Sequence, residues 1–389
     1  MNRVLFVSPH AKPGGAERAL TSVVRHLPRH GIEPIVAMLD EGPLEDWLTE
    51  AGCEFERVTR PRSARDLRGG RRAVAELRRI ARARGARAVV GWKTRGQLYG
   101  GVAAALERLP MVWWRHDMPR RHLLELAATA IPAVAVVWAN EPSARQQART
   151  TPWRAVHRIP LGVPAQAIRA RRGEGRSVRR ALGWERHRLV GVVGRLQSTK
   201  GQDVFLHAAA RIARAEPDVR FVIVGGAILG WEGSYPERVR RLAGELGLAE
   251  RVRFVGHQED VYPWIDALDA VAVPSQRETF CLALVEAMAL GKPVAASACA
   301  GPSEIVEHER SGLLVPTADP RSLAGALLRI LQEPGLSERL GAAAELRAGA
   351  FTEEAPAERF AAVLRPLVGR AAEPVPAKGS DRVAPSRAA

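Results

Sequence analysis

The sequence contains few cysteines, and they are scattered along the chain. Cys53, Cys281 and Cys299 stand at unrelated spacings within 389 residues. This pattern predicts neither a disulfide framework nor a cysteine metal site, and it suits a protein of a reducing compartment.

Long apolar runs are missing as well. The first residues, MNRVLFVSPH, contain an apolar run too short for a signal peptide. No later stretch approaches the roughly 18 apolar residues of a membrane span. We therefore expect a cytosolic protein, and its 389 residues are enough for two domains with full cores.

Lysine is scarce, so the formal charge of +16 comes almost wholly from arginine, which a skewed codon usage could explain. The densest run, residues 60–87, holds eleven arginines against Asp66 and Glu76. Apolar residues such as Ala73 and Leu77 keep helical spacing within it, so one face should pack. Such a run is usually a solvated helix face. The alternative is a basic patch that meets an anionic membrane or an anionic acceptor.

Short apolar strands alternate with helices along most of the chain. This alternation predicts parallel sheets covered by helices, which is an α/β fold. The predicted strands are residues 4–8, 35–39, 54–58, 88–91, 111–115, 133–138, 156–159, 189–193, 221–224, 252–256 and 270–273.

The alternation stops and restarts near the polar segment 169–176, which predicts a domain boundary there. We expect a first domain over residues 1–165, a second over 166–352 and a terminal helix over 353–370. Residues 371–389 have no apolar period and are predicted to be disordered.

One charged residue interrupts an apolar helix. Segment 281–290 predicts a helix that is buried on all sides, yet it contains Glu286. Burying an unpaired carboxylate is costly, so Glu286 needs a partner, which could be a core arginine. Alternatively, if residues 276–280 form a loop, Glu278 folds back and both carboxylates meet one ligand beside the amides of the helix start. That arrangement is typical of a nucleotide-sugar site.

Cations and glycines follow two other predicted strands. Arg195 and Lys200 come after strand 189–193 and could neutralise a diphosphate, although their spacing is not that of a P-loop. Gly14 and Gly15 follow the first strand and precede a helix, so a ligand could approach the backbone closely there. An ordinary tight turn is the alternative for the glycine pair.

Several of these segments together resemble the family 4 retaining glycosyltransferases of the GT-B fold. The similarity is strongest in two segments, GRLQSTKGQD and the forty residues that contain EAMALGKPVAAS, PSEIV and SGLLVPTADP. GGAERAL resembles the family's glycine loop, and IPLGVP resembles its interdomain linker. The resemblance implies two Rossmann-like domains facing across a cleft, with a terminal helix that crosses back to the first domain.

The resemblance also implies roles for individual residues. Glu278 would contact the transferred sugar, Glu286 would hold the ribose hydroxyls, and His116 would lie near the donor sugar. Arg195 and Lys200 would bind the diphosphate. Other expected substrate contacts, at strand ends and at the helix start, are Gly14, Gly15, Gly194, Gly225, His257, Phe280, Cys281 and Leu282. The chain departs from the family at Thr279, where Gly, Pro or Ala is usual, and at Cys281, where Gly is common.

The implied reaction moves a sugar, with retention, from a UDP- or GDP-sugar to a carbohydrate or lipid-linked acceptor in cell-surface glycan, glycolipid or polysaccharide synthesis. Trp92, Lys93, Arg95 and Gln97 could line the acceptor side, although packing is the alternative for Trp92. No Asp-x-Asp occurs, so nothing in the sequence calls for a metal. We also expect no cofactor and no nucleic-acid partner. The rivals are a nucleotide-sugar epimerase and a non-catalytic subunit of the same fold.

Overall fold

The computed structural model describes residues 2–63, 66–116, 123–227 and 233–369. Within them the first sheet is parallel, with seven strands in the order β3-β2-β1-β4-β5-β6-β7. Apolar residues fill the strands of its centre, which are buried on both faces, as expected when helices cover a parallel sheet. The strands are β1 Asn2–Ser8, β2 Ile32–Met38, β3 Glu54–Arg57, β4 Ala88–Trp92, β5 Met111–Trp114, β6 Ala135–Trp138 and β7 Ala155–Arg158.

The helices of this first half connect successive strands. The chain makes a short 3₁₀ helix, Leu27–His30, where the sequence predicts the last turn of the first helix. Pro28 has no backbone N–H to continue the α-helical ladder at that point. The helices are α1 Gly15–His26, α2 Leu44–Glu50, α3 Leu67–Ala83, α4 Lys93–Leu106, α5 Leu123–Ala130 and α6 Glu141–Thr150.

A second parallel sheet follows, with six strands in the order β10-β9-β8-β11-β12-β13 among the described residues. Its strands are β8 Arg188–Val193, β9 Val219–Val224, β10 Val252–Gly256, β11 Ala270–Val273, β12 Val294–Ser297 and β13 Leu313–Val315. Its helices are α7 Ala165–Arg169, α8 Gly175–Leu182, α9 Gln202–Ala215, α10 Tyr235–Glu245, α11 Tyr262–Asp266, α12 Leu282–Ala289, α13 Pro302–Ile305, α14 Pro320–Gln332 and α15 Leu336–Ala348.

The last described helix, α16 Ala355–Val368, returns to the first sheet. Phe360 packs its ring 6.1 Å from that of Phe6 and 4.6 Å from that of Trp114, measured between centroids. Arg87 donates to the Val368 carbonyl at 3.0 Å. The predicted fold class is therefore confirmed, including the crossing of the terminal helix.

The chain crosses between the two sheets twice, and the crossings touch. Val163 N donates to the Phe351 carbonyl at 2.9 Å, and a side chain at Gly162 would overlap the Thr352 carbonyl. The predicted domain ends, residues 165 and 352, fall beside this contact, and the exact division stays a prediction.

The polar segment 169–176, near which the sequence predicts a domain boundary, makes defined contacts with the second half of the chain. It ends α7 and begins α8, and the Asp266 carboxylate accepts hydrogen bonds from the N–H groups of Gly173 and Gly175, each at 2.8 Å. The side chain of Arg171 pairs with Asp260 at 2.5 Å. These contacts tie the segment to the second sheet. The tail predicted to be disordered, residues 371–389, lies outside the described residues, as does residue 370.

Candidate active site

The loops at the carboxyl ends of the two sheets meet across a cleft, which is where open α/β sheets bind ligands. A Cβ on Gly15, at the start of α1, would lie 3.7 Å from Leu282 Cδ1 at the start of α12. Thr279 Oγ1 donates to the His116 carbonyl at 2.9 Å, and Asn140 Nδ2 donates to the Thr279 carbonyl at 2.8 Å. Thr279, one of the two residues at which the chain departs from the family pattern, therefore joins the two halves of the chain by hydrogen bonds.

Glu278 lies in a loop, as one of the sequence interpretations requires. The chain is irregular from residue 274 to residue 281, and α12 begins only at Leu282. Lys200 Nζ lies 2.5 Å from Glu278 Oε2, and both side chains are largely buried. Burial lowers the pKa of Lys200, but the Glu278 carboxylate and then Cys281 raise it, and the net direction is upward. Lys200 is therefore held charged beside the Glu278 carboxylate.

A hydrogen bond from a buried side chain holds the backbone of Arg195 in place. Gln202, fully buried at the start of α9, donates from Nε2 to the Arg195 carbonyl at 2.7 Å. Tyr235 donates its hydroxyl to Gln202 Oε1 at 3.2 Å. The Arg195 guanidinium is half-buried and has no ion-pair partner among the described residues. Sequence reasoning missed Gln202 as a positioning residue, although a glutamine in the first turn of an apolar helix is a usable signal.

Glycines bring three strand ends of the second sheet together. Gly194 N donates to the Val224 carbonyl, and Gly225 N donates to the Gly256 carbonyl at 2.8 Å. Gly225 has a φ of 139°, which favours glycine, and a side chain there would overlap the Gly194 carbonyl. His257 follows Gly256, the last residue of β10. A Cβ added to Gly226 would lie 3.1 Å from the Cβ of His257. Gly194, Gly225 and His257 thus line one edge.

Glu286 has the partner that its burial demands, and that partner belongs to the other domain. Arg18 Nη1 on α1 lies 3.0 Å from Glu286 Oε1, and the glutamate side chain is only 6% exposed. Burial raises the pKa of Glu286, and Arg18 offsets part of that rise. Glu286 is therefore paired with an arginine, but this arginine is 36% exposed and does not belong to the core, and the predicted contact of Glu286 with the ribose stays a prediction. Glu278 and Glu286 bind different cations in this structure.

The glycine loop is braced by the end of β4. A Cβ on Gly14 would lie 2.6 Å from Glu17 Oε2, so a side chain there would displace Glu17. Glu17 Oε1 lies 2.5 Å from Lys93 Nζ, and both side chains are buried. Trp92 Nε1 donates to the Ala16 carbonyl at 3.0 Å. This set fixes the start of α1 opposite α12.

His116 follows β5 and packs on two tryptophans. Its ring centroid lies 4.4 Å from that of Trp92 and 6.1 Å from that of Trp114, with the Trp114 plane nearly parallel. Its Nε2 is buried and has no hydrogen-bond partner among the described residues. Burial and then the charge of Lys93 hold the pKa of His116 well below its ordinary value. A neutral imidazole therefore lies at the cleft.

The side chains of the helix start are structural. Phe280 packs edge-on against Phe351, with centroids 5.7 Å apart, and a Cβ on Gly301 would lie 2.9 Å from Phe280 Cα. Cys281 is buried, and burial, then the charge of Glu278, raises the pKa of its thiol to about 12. Any ligand contact at Phe280, Cys281 and Leu282 would therefore come mainly from the backbone amides, which are free at a helix start.

Two family models match this chain. The model of group 1 glycosyl transferases matches residues 176–347, and that of glycosyltransferase family 4 matches residues 13–167. The chain belongs to the group 1, family 4 glycosyltransferases. The two matches together include every candidate site residue named above.

Curated relatives share part of this glycosyltransferase. The D-inositol 3-phosphate glycosyltransferase of Nocardioides sp. strain JS614 is 40% identical over 183 residues, which are 44% of this chain and 40% of that protein. That of Corynebacterium jeikeium strain K411 is 38% identical over 184 residues, 46% of this chain and 44% of that protein. The chain thus spans less than half the length of the curated relatives it matches.

Solved structures share the whole fold. Anabaena HepE in complex with UDP has a TM-score of 0.80 and 25% identity, and the match covers 94% of this chain and all of that one. A second HepE structure, with UDP and glucose, has a TM-score of 0.83 and 24% identity over 94% of this chain and 99% of that one. WaaG, a glycosyltransferase of lipopolysaccharide biosynthesis, has a TM-score of 0.71 and 18% identity, and the match covers 92% of this chain and 99% of that one.

Two of the four residues predicted to line the acceptor side of this glycosyltransferase do not do so. Gln97 is fully buried and donates to the Ile131 carbonyl at 3.3 Å, so its prediction is wrong. Trp92 is also fully buried and packs as the alternative reading expects. Lys93 and Arg95 remain at the cleft edge. Among the described residues, no group of three or more His, Cys, Asp or Glu side chains could hold a metal ion.

The arginine-rich run includes α3, and six of its arginines form ion pairs with acidic side chains. Ala73, Leu77, Ile80 and Ala81 are buried, which confirms the predicted apolar face. The ion pairs join Arg60 to Asp40, Arg72 to Glu76, Arg78 and Arg82 to Glu107, Arg79 to Glu56, and Arg84 to Glu54 and Glu56. Most of these acids come from neighbouring elements. No helix within the described ranges is long and apolar enough to cross a membrane.

Proposed function

We propose that the protein is a retaining glycosyltransferase that moves a sugar from a nucleoside diphosphate sugar to an acceptor held mainly by the first domain. The observation that carries this proposal is the buried pair of Lys200 and Glu278, 2.5 Å apart, at the strand end that also carries Gly194 and Arg195. A cation for the diphosphate and a carboxylate for the sugar stand side by side there. A UDP-sugar is the first donor to test, because the similar HepE structures contain UDP.

Arg195 and Lys200 neutralise the departing diphosphate as the sugar gains positive charge. Fixed cations aimed at developing charge act strongly in a cleft that excludes water. Lys200 is already held charged by Glu278, and Arg195 has a backbone fixed by Gln202 and a guanidinium without an ion-pair partner among the described residues. Glu278 contacts the sugar hydroxyls, and His116 accepts or donates a hydrogen bond at the same sugar.

Glu286 holds the ribose hydroxyls of the donor. Its buried carboxylate can accept hydrogen bonds on Oε2 while Oε1 keeps Arg18. Arg18 thereby becomes part of the donor site, because its charge offsets part of the rise that burial causes in the pKa of Glu286. The backbone amides of residues 280–282 and the edge of Gly194, Gly225 and His257 complete the donor site.

The acceptor belongs to cell-surface glycan, glycolipid or polysaccharide synthesis, and the protein associates from the cytosol with anionic membrane. The exposed start of α3 supports this, since Leu67 is 72% exposed and Arg68 and Arg71 have no ion-pair partner in the described part of the chain. Binding of this kind weakens as salt rises. Equal recovery with neutral and anionic vesicles at low salt would contradict the membrane association.

The test is transfer from UDP-glucose, other UDP-sugars and GDP-mannose to a panel of acceptors, with excess EDTA in a parallel series. We expect acceptor-dependent release of the nucleoside diphosphate that persists in EDTA, since Arg195 and Lys200 supply the charge. Loss in EDTA with rescue by Mg²⁺ or Mn²⁺ would contradict the diphosphate assignment. Turnover of the donor without any acceptor would indicate an epimerase instead.

A further inference from the structure

Cations gather at the carboxyl edge of the first sheet, on the acceptor side of the cleft. Lys12 lies in the loop after β1, Arg60 follows β3, and Lys93 and Arg95 follow β4. β1 lies between β2 and β4 in the sheet, so these loops are neighbours. His10, two residues after β1, lies among them.

All four cations affect the ionisation of His10. Burial and then the charges of Lys93, Arg95, Arg60 and Lys12 lower the pKa of His10 to about 3. An imidazole surrounded by cations stays neutral, so it neither adds to the positive charge nor offsets it. The net charge of this edge therefore depends on how many of the four cations are paired with acids.

Two of the four cations are balanced by buried acids. Lys93 Nζ lies 2.5 Å from Glu17 Oε1, and Arg60 Nη1 lies 2.5 Å from Asp40 Oδ1. The side chains of Glu17 and Asp40 are only 4% and 8% exposed, so neither acid is free to serve a second cation at the surface. Glu125, on α5 beside this edge, is bound by Thr94 and Arg115.

Lys12 and Arg95 differ from the first two cations in this respect. Lys12 and Arg95 are half-buried, and neither has an ion-pair partner among the described residues. Half-buried cations without a counter-charge raise the local potential and attract anions. Tyr99, four residues after Arg95 and on the same face of α4, adds a hydroxyl group that can donate a hydrogen bond.

We propose that Lys12 and Arg95 bind an oxyanion, a phosphate or a carboxylate, that is carried by the acceptor. This inference rests on the proposed function. The planar guanidinium of Arg95 suits two oxygens of one anion, and Lys12 supplies a point charge. Arg95 follows β4 and His116 follows the adjacent strand β5, so the anion site lies on the same sheet edge as the histidine assigned to the donor sugar. An acceptor anchored there would present a hydroxyl group to that sugar.

The test is calorimetric titration of inorganic phosphate into the full chain, with UDP saturating the donor site and again without UDP. Lys12→Gln and Arg95→Gln remove one cation each. Arg29→Gln is the matched control, because Arg29 is exposed on the short 3₁₀ helix after α1 and lies outside the proposed site. We expect each site variant to weaken phosphate binding about 10-fold or more and the control to leave it unchanged, with the UDP affinity of all three unaltered.

A second arm replaces phosphate with vesicles of phosphatidylcholine, with and without phosphatidylglycerol. Loss of anionic-vesicle binding in Lys12→Gln and Arg95→Gln supports an acceptor whose anion is a lipid headgroup. Loss of phosphate binding alone supports a soluble acceptor. If the site variants bind phosphate as tightly as Arg29→Gln does, and also bind the vesicles as tightly, the anion site is overturned, even where UDP binds normally. Failure of UDP to bind the wild type would contradict the proposed function, and the phosphate titrations without UDP still decide the anion site.

Discussion

The two sheet edges that face each other across the cleft balance their charges differently. At the second-domain edge, Lys200 and Glu278 form a buried pair within one domain, and glycines bring the neighbouring strand ends close. At the first-domain edge, Lys12 and Arg95 have no acid partner among the described residues. Between them, Arg18 of the first domain reaches Glu286 of the second. This difference in charge balance underlies both proposals, a diphosphate sugar bound at the second edge and an anion bound at the first.

The largest effect on the second edge is expected from substitution of Lys200. Lys200→Met removes one cation from the diphosphate and should lower kcat by about 100- to 1,000-fold, the usual loss when one preorganised electrostatic contact is removed. Lys200→Arg keeps the charge and is the matched control. Steady-state transfer rates measure both. The double variant Lys200→Met, Glu278→Gln removes the unpaired carboxylate, so it should regain thermal stability and remain inactive. A Lys200→Met rate close to that of the wild type would contradict the assignment.

The cationic surroundings of His10 predict a pH-dependent stability. The folded protein keeps His10 neutral down to about pH 3, whereas the unfolded chain protonates a histidine near pH 6.5. Because the unfolded state then binds more protons, the free energy of unfolding falls as the pH drops below 6.5, by up to about 1.4 kcal/mol per pH unit from this residue.

His10→Asn should therefore flatten the dependence of the unfolding free energy on pH between about pH 6 and pH 4. Urea denaturation at a series of pH values measures it, and His30→Asn is the control for a histidine outside the cleft. Identical slopes in the wild type and His10→Asn would show that burial and the neighbouring cations do not lower the pKa of His10 as described.

A smaller effect is expected from the hydrogen bond between Thr279 and the His116 carbonyl, which joins the two edges. Thr279→Val keeps the shape of the side chain but loses the hydrogen bond to the His116 carbonyl, which should weaken donor binding or transfer by about 2- to 10-fold. Thr279→Ser keeps the hydroxyl and should stay near the wild type. Donor titration and kcat/KM measure the change. Equal values for the two variants would show that the hydroxyl does not link the domains.

Much of the second edge could be predicted from the sequence because its features are local. Glu278 falls in the loop before α12, and Arg195 and Lys200 fall just after a strand, all within short segments whose spacing limits the geometry. The strand β12, with the sequence VAAS, was missed because alanines carry little strand signal.

The first edge and the bridge could not be predicted in the same way. The partners Arg18 and Glu286 are 268 residues apart, and Thr279 and His116 are 163 residues apart. Gln97 was expected at the cleft because it follows a strand end, yet the helical turn after β4 directs it into the interior. Only the folded arrangement shows which arginines of residues 60–87 meet acids from other elements.

The central claim is that Glu286 meets the nucleoside and Glu278 the sugar, and calorimetric titration of Glu278→Ala and Glu286→Ala with UDP and with UDP-glucose tests it most directly. Circular dichroism confirms beforehand that each variant is folded. Glu286→Ala should weaken both ligands by about 10- to 150-fold, because its contact exists with or without a sugar. Glu278→Ala should weaken UDP-glucose alone. If Glu278→Ala weakens free UDP as much as Glu286→Ala does, this division of roles is wrong.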